Sequence, residues 1–193
     1  MDARFPLAIA VAAGLLLCSG VGGCTEPAVT VPTSSGALSS ADASASRPRA
    51  SDAARRYDLD SLPRTEVGVS GHTFRVWLVQ DFDPARPDAP AEGLMHVPTD
   101  EIADDEGMLF VFSSERVRGF WMKNTIAPLD IAFARLDGTI VAIWQMPPLT
   151  LQTFSSLEPA IFALEVKQGT LARLGIREGD RLEMPADVFE VRP

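Results

Sequence analysis

Cysteine, histidine, lysine and tyrosine are nearly missing from this sequence. Its 193 residues include two cysteines, two histidines and one tyrosine, and lysine occurs only at Lys123 and Lys167. Two cysteines cannot build a disulfide scaffold or a thiolate metal cage by themselves. His72 and His96 stand alone, with no H-E-x-x-H pair and no Cys/His cluster, which excludes a zinc site of the usual spacing. An excess of positive charge is also lacking. With 26 acidic residues against 17 basic ones the net charge is -9, which excludes an electrostatic grip on nucleic-acid phosphates. No P-loop, G-x-G-x-x-G or G-x-S-x-G is present, and no internal repeat. Long apolar runs are absent too, and Leu7 to Cys18 falls short of the roughly 20 residues that span a bilayer. What is there has globular proportions, 46% hydrophobic and 22% charged, which excludes full-length disorder, collagen and coiled coil.

The opening segment behaves as an address. A weakly positive start at Arg4, the apolar run and a small-residue stretch Ser19 to Gly23 form the three parts of a secretory signal. Val21-Gly22-Gly23-Cys24 follows at once and resembles a bacterial lipobox. There a thiol accepts diacylglycerol, and small residues let the peptidase close on the backbone. The reading is a signal over residues 1–23, an acyl anchor (palmitate is the convenient label) at Cys24, and export to a membrane surface of the cell envelope. Without lipidation the chain is secreted. Residues 24–56 are rich in Ala, Ser, Thr and Pro and contain no aromatic residue. They cannot bury enough apolar area to offset their ordering entropy, so they read as a disordered tether.

Composition changes at Tyr57. All three tryptophans, the tyrosine and nine of the ten phenylalanines lie in residues 57–193, a length suited to one domain. Thr65–Val69 and Thr73–Gln80 read as a hairpin around Ser70-Gly71, and the apolar Gly107–Phe112 as a strand covered on both faces. Further strands are expected over Val117–Lys123, Leu129–Leu136, Thr139–Met146, Ala160–Lys167 and Arg181–Met184. Asp137-Gly138 matches a type I′ turn. A short helix over Gly169–Gly175 takes Thr170 as N-cap and Gly175 as its left-handed stop. The expectation is an α+β, mainly β domain: a compact, curved, barrel-like antiparallel sheet with one or two short helices.

Several fixed-order motifs carry a family resemblance. They are Gly93-Leu94-Met95, Gly107-Met108-Leu109-Phe110-Val111-Phe112, Phe120-Trp121-Met122-Lys123-Asn124-Thr125, Pro128-Leu129-Asp130-Ile131, Pro159-Ala160, Leu164-Glu165 and Gly175-Ile176-x-x-Gly179-Asp180. The series, over about Val67 to Met184, resembles domain of unknown function family 192, an uncharacterised bacterial and archaeal domain that is often exported. The resemblance implies a compact, mainly β fold with small helices, and no established activity, catalytic residue or cofactor. Two departures stand out. Asp83 to Ala91 reads as a proline-rich loop where a short helix is usual, and His96-Val97 stands where the family commonly has an arginine nearby.

Candidate chemistry is concentrated in two places. Trp121, Lys123, Asn124 and Thr125 form a mixed aromatic and polar stretch able to stack a ring or hold an anion. Read without function, Trp121 and Met122 are core, Lys123 pairs with a carboxylate, and Asn124-Thr125 shape a turn. Asp130 and Glu165 sit within strands, where a carboxylate must be paired or hold its proton. As a pair they would supply general acid and base for a hydrolase or lyase; as structural groups they would pair with Lys123 or an arginine. The acidic stretch Asp100 to Glu106 lacks an EF-hand pattern and reads as a solvated turn. No metal or cofactor is expected. The sequence therefore points first to a non-enzymatic binding domain for a small-molecule or glycan ligand, tethered to a membrane through Cys24. A carboxylate-pair enzyme and a structural domain recognising another envelope protein are the alternatives.

Overall fold

The computed structural model describes residues 54–191. The signal-like segment, the lipobox, Cys24 and nearly all of the tether lie outside the described residues. The first of these residues already belong to the domain: Arg55 is buried against Glu92 and donates to the Met95 carbonyl at 2.8 Å.

β1 (Arg64–Val69) and β2 (His72–Gln80) pair antiparallel across Ser70-Gly71. Both turn residues have positive φ, 50° and 80°, the type I′ geometry whose twist suits a two-residue hairpin. The chain then crosses over through a short helix, α1 (Ala89–Glu92), and returns as β3 (Glu106–Phe120) parallel to β2. The proline-rich stretch therefore ends in a helix, with Pro90 in the first turn where a missing N–H costs nothing. One parallel pair in a sheet expected to be antiparallel follows from this crossover.

β4 (Leu129–Ala134), β5 (Ile140–Met146) and β6 (Phe154–Lys167) complete the broad part of the sheet. α2 (Thr170–Arg173) and the two-residue β7 (Leu182–Glu183) follow. The seven strands run in the order β5-β4-β6-β3-β2-β1-β7. The two outer strands approach each other at one corner. Thr139 bridges Arg181, the Ile140 N–H donates to the Asp180 carbonyl and the Leu182 N–H to the Gly138 carbonyl, each at 2.8 Å. The sheet is thus curled into a half-barrel, as the strand pattern predicts.

Both faces of the central strands are covered, which is why Gly107–Phe112 and all of β4 are buried. One face carries Phe162, which meets Phe189 of the C-terminal segment, and Asp130, which meets α2. The other carries Met108, Phe110, Phe133 and Glu165, in register across β3, β6 and β4. Phe120 packs edge-on against Phe110, Phe112 and Phe133 with centroids 4.9 to 6.2 Å apart.

Three local expectations change. Val117–Lys123 is not a separate strand, because β3 runs unbroken to Phe120. Asp137-Gly138 is not type I′: Gly138 has φ 86° but Asp137 is not in the positive-φ region. The Arg135 N–H bonds Thr139 and the Gly138 N–H bonds Arg135, giving a three-residue loop with its glycine left-handed. The N-cap of α2 is Gly169 at φ 84°, not Thr170, whose side chain is buried.

Candidate functional site

β3 loses its simple alternation midway. Its register with β6 slips between Val111 and Arg116 and again between Val117 and Gly119. Such bulges re-aim side chains and often adjoin functional sites. Here they let the consecutive residues Arg116 to Trp121 all border one cavity of about 490 Å³. The opposite wall is α1 and its exit, Pro90 to Met95, with Phe110 and Phe112 beneath and Glu165 at depth.

Glu165 is 4% exposed and makes no hydrogen bond or ion pair among the described residues. Its partners across the sheet are Met108 and Ile131, neither of which can hydrogen-bond a carboxylate. Burial alone pushes its pKa from 4.5 up to about 8, so the carboxyl holds its proton at neutral pH. A protonated carboxyl is both a donor and an acceptor, here aimed into an aromatic-walled space.

Arginine supplies the positive side of the cavity. Arg118 lies over the Phe112 ring at 3.8 Å and donates to the carbonyls of Ala160, at 3.4 Å, and Ser114. Burial, and then the neighbouring Arg116, lower its pKa, while Asp81 opposes both. Arg116 is exposed and has no ion-pair partner among the described residues. Glu92 also reaches the cavity wall, but its carboxylate accepts the backbone N–H groups of Arg56 and Tyr57 at 2.6 and 3.1 Å.

Trp121 stands at the mouth, half exposed, and Lys123 places its ammonium 5.3 Å from that ring. Lys123 is itself exposed and meets no carboxylate among the described residues, so neither the core pairing with Asp130 nor that with Glu165 forms. Asn124 turns the chain at φ 58° and accepts the His96 N–H on its carbonyl at 2.8 Å. Thr125 is buried and lines the cavity. Of the four expected contact residues, Trp121 and Thr125 border the cavity, and Lys123 and Asn124 lie outside its lining.

Asp130 and Glu165 do not meet. Asp130 is opposite Val166 and Glu165 opposite Ile131, so the two carboxyls point to opposite faces. The expected acid–base pair is therefore not assembled, because side chains one register step apart alternate across the sheet. Asp130 Oδ2 accepts the Leu171 N–H at 3.1 Å at the start of α2. Its pKa is raised by burial, against the lowering pull of the Gly169, Leu171 and Thr170 amides. Elsewhere the acidic loop is neutralised piecewise, Asp104 by Lys167 and Asp105 by Arg75. No cluster of three metal-ligating side chains occurs among the described residues.

Sequence reasoning passed over Arg116 and Arg118. The only signal was an Arg-x-Arg alternation just after an apolar strand, which reads equally well as a solvated face.

The family model that matches the chain is DUF192, described as an uncharacterised ACR, over residues 66–184. No curated protein matches the chain significantly. A solved structure from Sinorhizobium meliloti 1021, provisionally named a transcription regulator, is 38% identical. The match covers 63% of this chain and 94% of that one, with a TM-score of 0.57. A protein of unknown function from Novosphingobium aromaticivorans DSM 12444 is 34% identical, with 66% and 90% covered and a TM-score of 0.59.

Proposed function

The chain belongs to the DUF192 family, and from that premise we propose that this member is a non-enzymatic binding domain whose ligand site is the cavity around Glu165. The observation that carries this is the carboxyl itself. Glu165 is 4% exposed and makes no hydrogen bond among the described residues, and it borders a cavity large enough for a small molecule. Trp121 at the mouth supplies a ring face for stacking, and Thr125 a hydroxyl. The envelope address is part of the same proposal: Cys24 carries a lipid and residues 24–56 hold the domain off the membrane. Its support is the lipobox-like Val21-Gly22-Gly23-Cys24 alone.

The other classes find less support. A hydrolase or lyase using Asp130 with Glu165 lacks a shared face for the two groups. A partner domain recognised through a strand edge would need open amides on β5, where the Ile143 N–H already donates to Glu178 at 3.3 Å. The regulator name of the Sinorhizobium relative has no electrostatic counterpart here, since a net charge of -9 opposes DNA.

The test is a thermal-shift screen of the full chain against a panel of small envelope metabolites, repeated on Ala91→Trp, which crowds the mouth from an exposed position. Compounds that raise Tm in the parent and not in Ala91→Trp are the expected result. A panel without stabilising compounds, or shifts unchanged in Ala91→Trp, would overturn the reading.

A further inference from the structure

The chemistry of the cavity is asymmetric, and the asymmetry selects a ligand class. This inference rests on the binding reading above. At the deep end is Glu165, flanked on its own strand by Ala163 and by Lys167, the latter paired with Asp104 at 3.0 Å. Met108 of β3 and Ile131 of β4 oppose it, and Asp130 of β4 faces the other way. From α1 comes Glu92, already occupied by the Arg56 and Tyr57 amides. At the other end stand Arg116 and Arg118, two guanidinium groups with no carboxylate partner among the described residues. Between them are the rings of Phe110, Phe112 and Phe120.

An aromatic wall with a buried carboxyl could in principle be a cage for an amine. Two arginines in the lining, Arg116 exposed and Arg118 buried over Phe112, work against that, since a cation would share the cavity with both to reach an acid that must first lose its proton. The same groups suit the opposite polarity. An anion at the mouth gains charge-assisted hydrogen bonds from Arg116, whose donors no protein carboxylate claims. A hydrogen-bond acceptor at the inner end receives the proton of the Glu165 carboxyl.

We infer that the site takes a small organic monoanion with an aromatic or other apolar body and an oxygen acceptor at its far end. The anion lies against Arg116, the body packs among Phe110, Phe112 and Phe120, and the acceptor takes the proton of the Glu165 carboxyl. Binding of this kind requires protonated Glu165, so affinity falls as pH rises through about 8, where the carboxyl ionises and repels the acceptor.

Three matched probes test this by calorimetry on the full chain at pH 6 and pH 9. They are 3-(4-hydroxyphenyl)propanoate, its neutral amide and the cationic tyramine. The acid is expected to bind at least tenfold tighter than either analogue at pH 6 and to lose at least tenfold at pH 9. Arg116→Gln should erase the advantage of the acid over the amide, and Glu165→Gln should flatten the pH profile. Preference for tyramine, with affinity rising with pH, would overturn the inference while leaving the cavity a binding site. So would an acid whose binding ignores Arg116→Gln and pH. If none of the three binds while panel compounds are lost in Ala91→Trp, the ligand class is wrong and the site stands. A panel that finds nothing removes both.

Discussion

At the scale of single residues, two groups with similar prospects in the sequence separate cleanly in the structure. Lys123 is an exposed cation resting near Trp121, and an exposed cation–π contact is worth about 0.5–1 kcal/mol at most. Lys123→Ala should therefore change stability by no more than about 1 kcal/mol in a denaturant melt. A loss above about 3 kcal/mol would mean a buried pairing instead. Asp130 is the opposite case. It is 1% exposed and receives the Leu171 amide at the start of α2. Asp130→Ala should strand that buried donor and cost about 1–3 kcal/mol, with Asp130→Asn, which keeps an acceptor, costing less. Equal losses in the two variants would argue that packing, not the amide contact, sets the role of Asp130.

At the scale of elements, the corner where β5 meets β7 decides whether the sheet stays curled. Gly138 turns the β4–β5 hairpin at φ 86°, and a Cβ there would lie 2.2 Å from the Leu182 carbonyl. Gly138→Ala thus meets both a left-handed backbone and the seam. It should destabilise the domain by about 2 kcal/mol or more, read as a drop in Tm. A drop corresponding to less than about 0.5 kcal/mol would mean that the corner opens without consequence.

The same corner explains what the sequence could and could not reveal. Asp-Gly announces a hairpin, and strand and turn both appear where expected. The turn type does not follow from the dipeptide, because a third loop residue and a pairing with residues over 40 positions away select it. Thr170 looked like a cap because hydroxyl residues favour that place, but a strand carboxylate supplies the contact to the α2 amides from elsewhere in the chain. The parallel β2–β3 pair was equally hidden, since it depends on a crossover carrying only a four-residue α-helix and one 3-10 turn, Thr99–Glu101. Glu165 was legible as a charge in an apolar strand. Its distance in function from Asp130 was not, because that requires the β4–β6 register. The arginines stayed hidden because the register shifts that bring Arg116 and Arg118 to the cavity lining are invisible in composition.

At the scale of the whole molecule, Glu165 links the cavity to the stability of the fold. Between about pH 4.5 and 8 the unfolded chain releases this proton while the folded chain keeps it. The unfolded state then binds fewer protons, so stability falls as pH rises across that window, by up to about 1.4 kcal/mol per unit from this group. Chemical denaturation at pH 5 and pH 8 should show the parent losing stability relative to Glu165→Gln, and Glu165→Gln should be the more stable at pH 8. A constant difference between the two proteins would mean that the carboxyl titrates alike in both states. This cost, borne opposite Met108 and Ile131 where no side chain offsets it, is what makes the cavity more than a packing defect.

That view is tested most directly by following the Glu165 side-chain carbon by NMR in the full, glutamate-labelled chain from pH 5 to pH 10. The titration should have its midpoint near 8. Saturating 3-(4-hydroxyphenyl)propanoate should move it upward in the parent and leave it unmoved in Ala91→Trp. A midpoint near the ordinary 4.5, indifferent to the probe, would mean a solvated carboxylate and no ligand site around it.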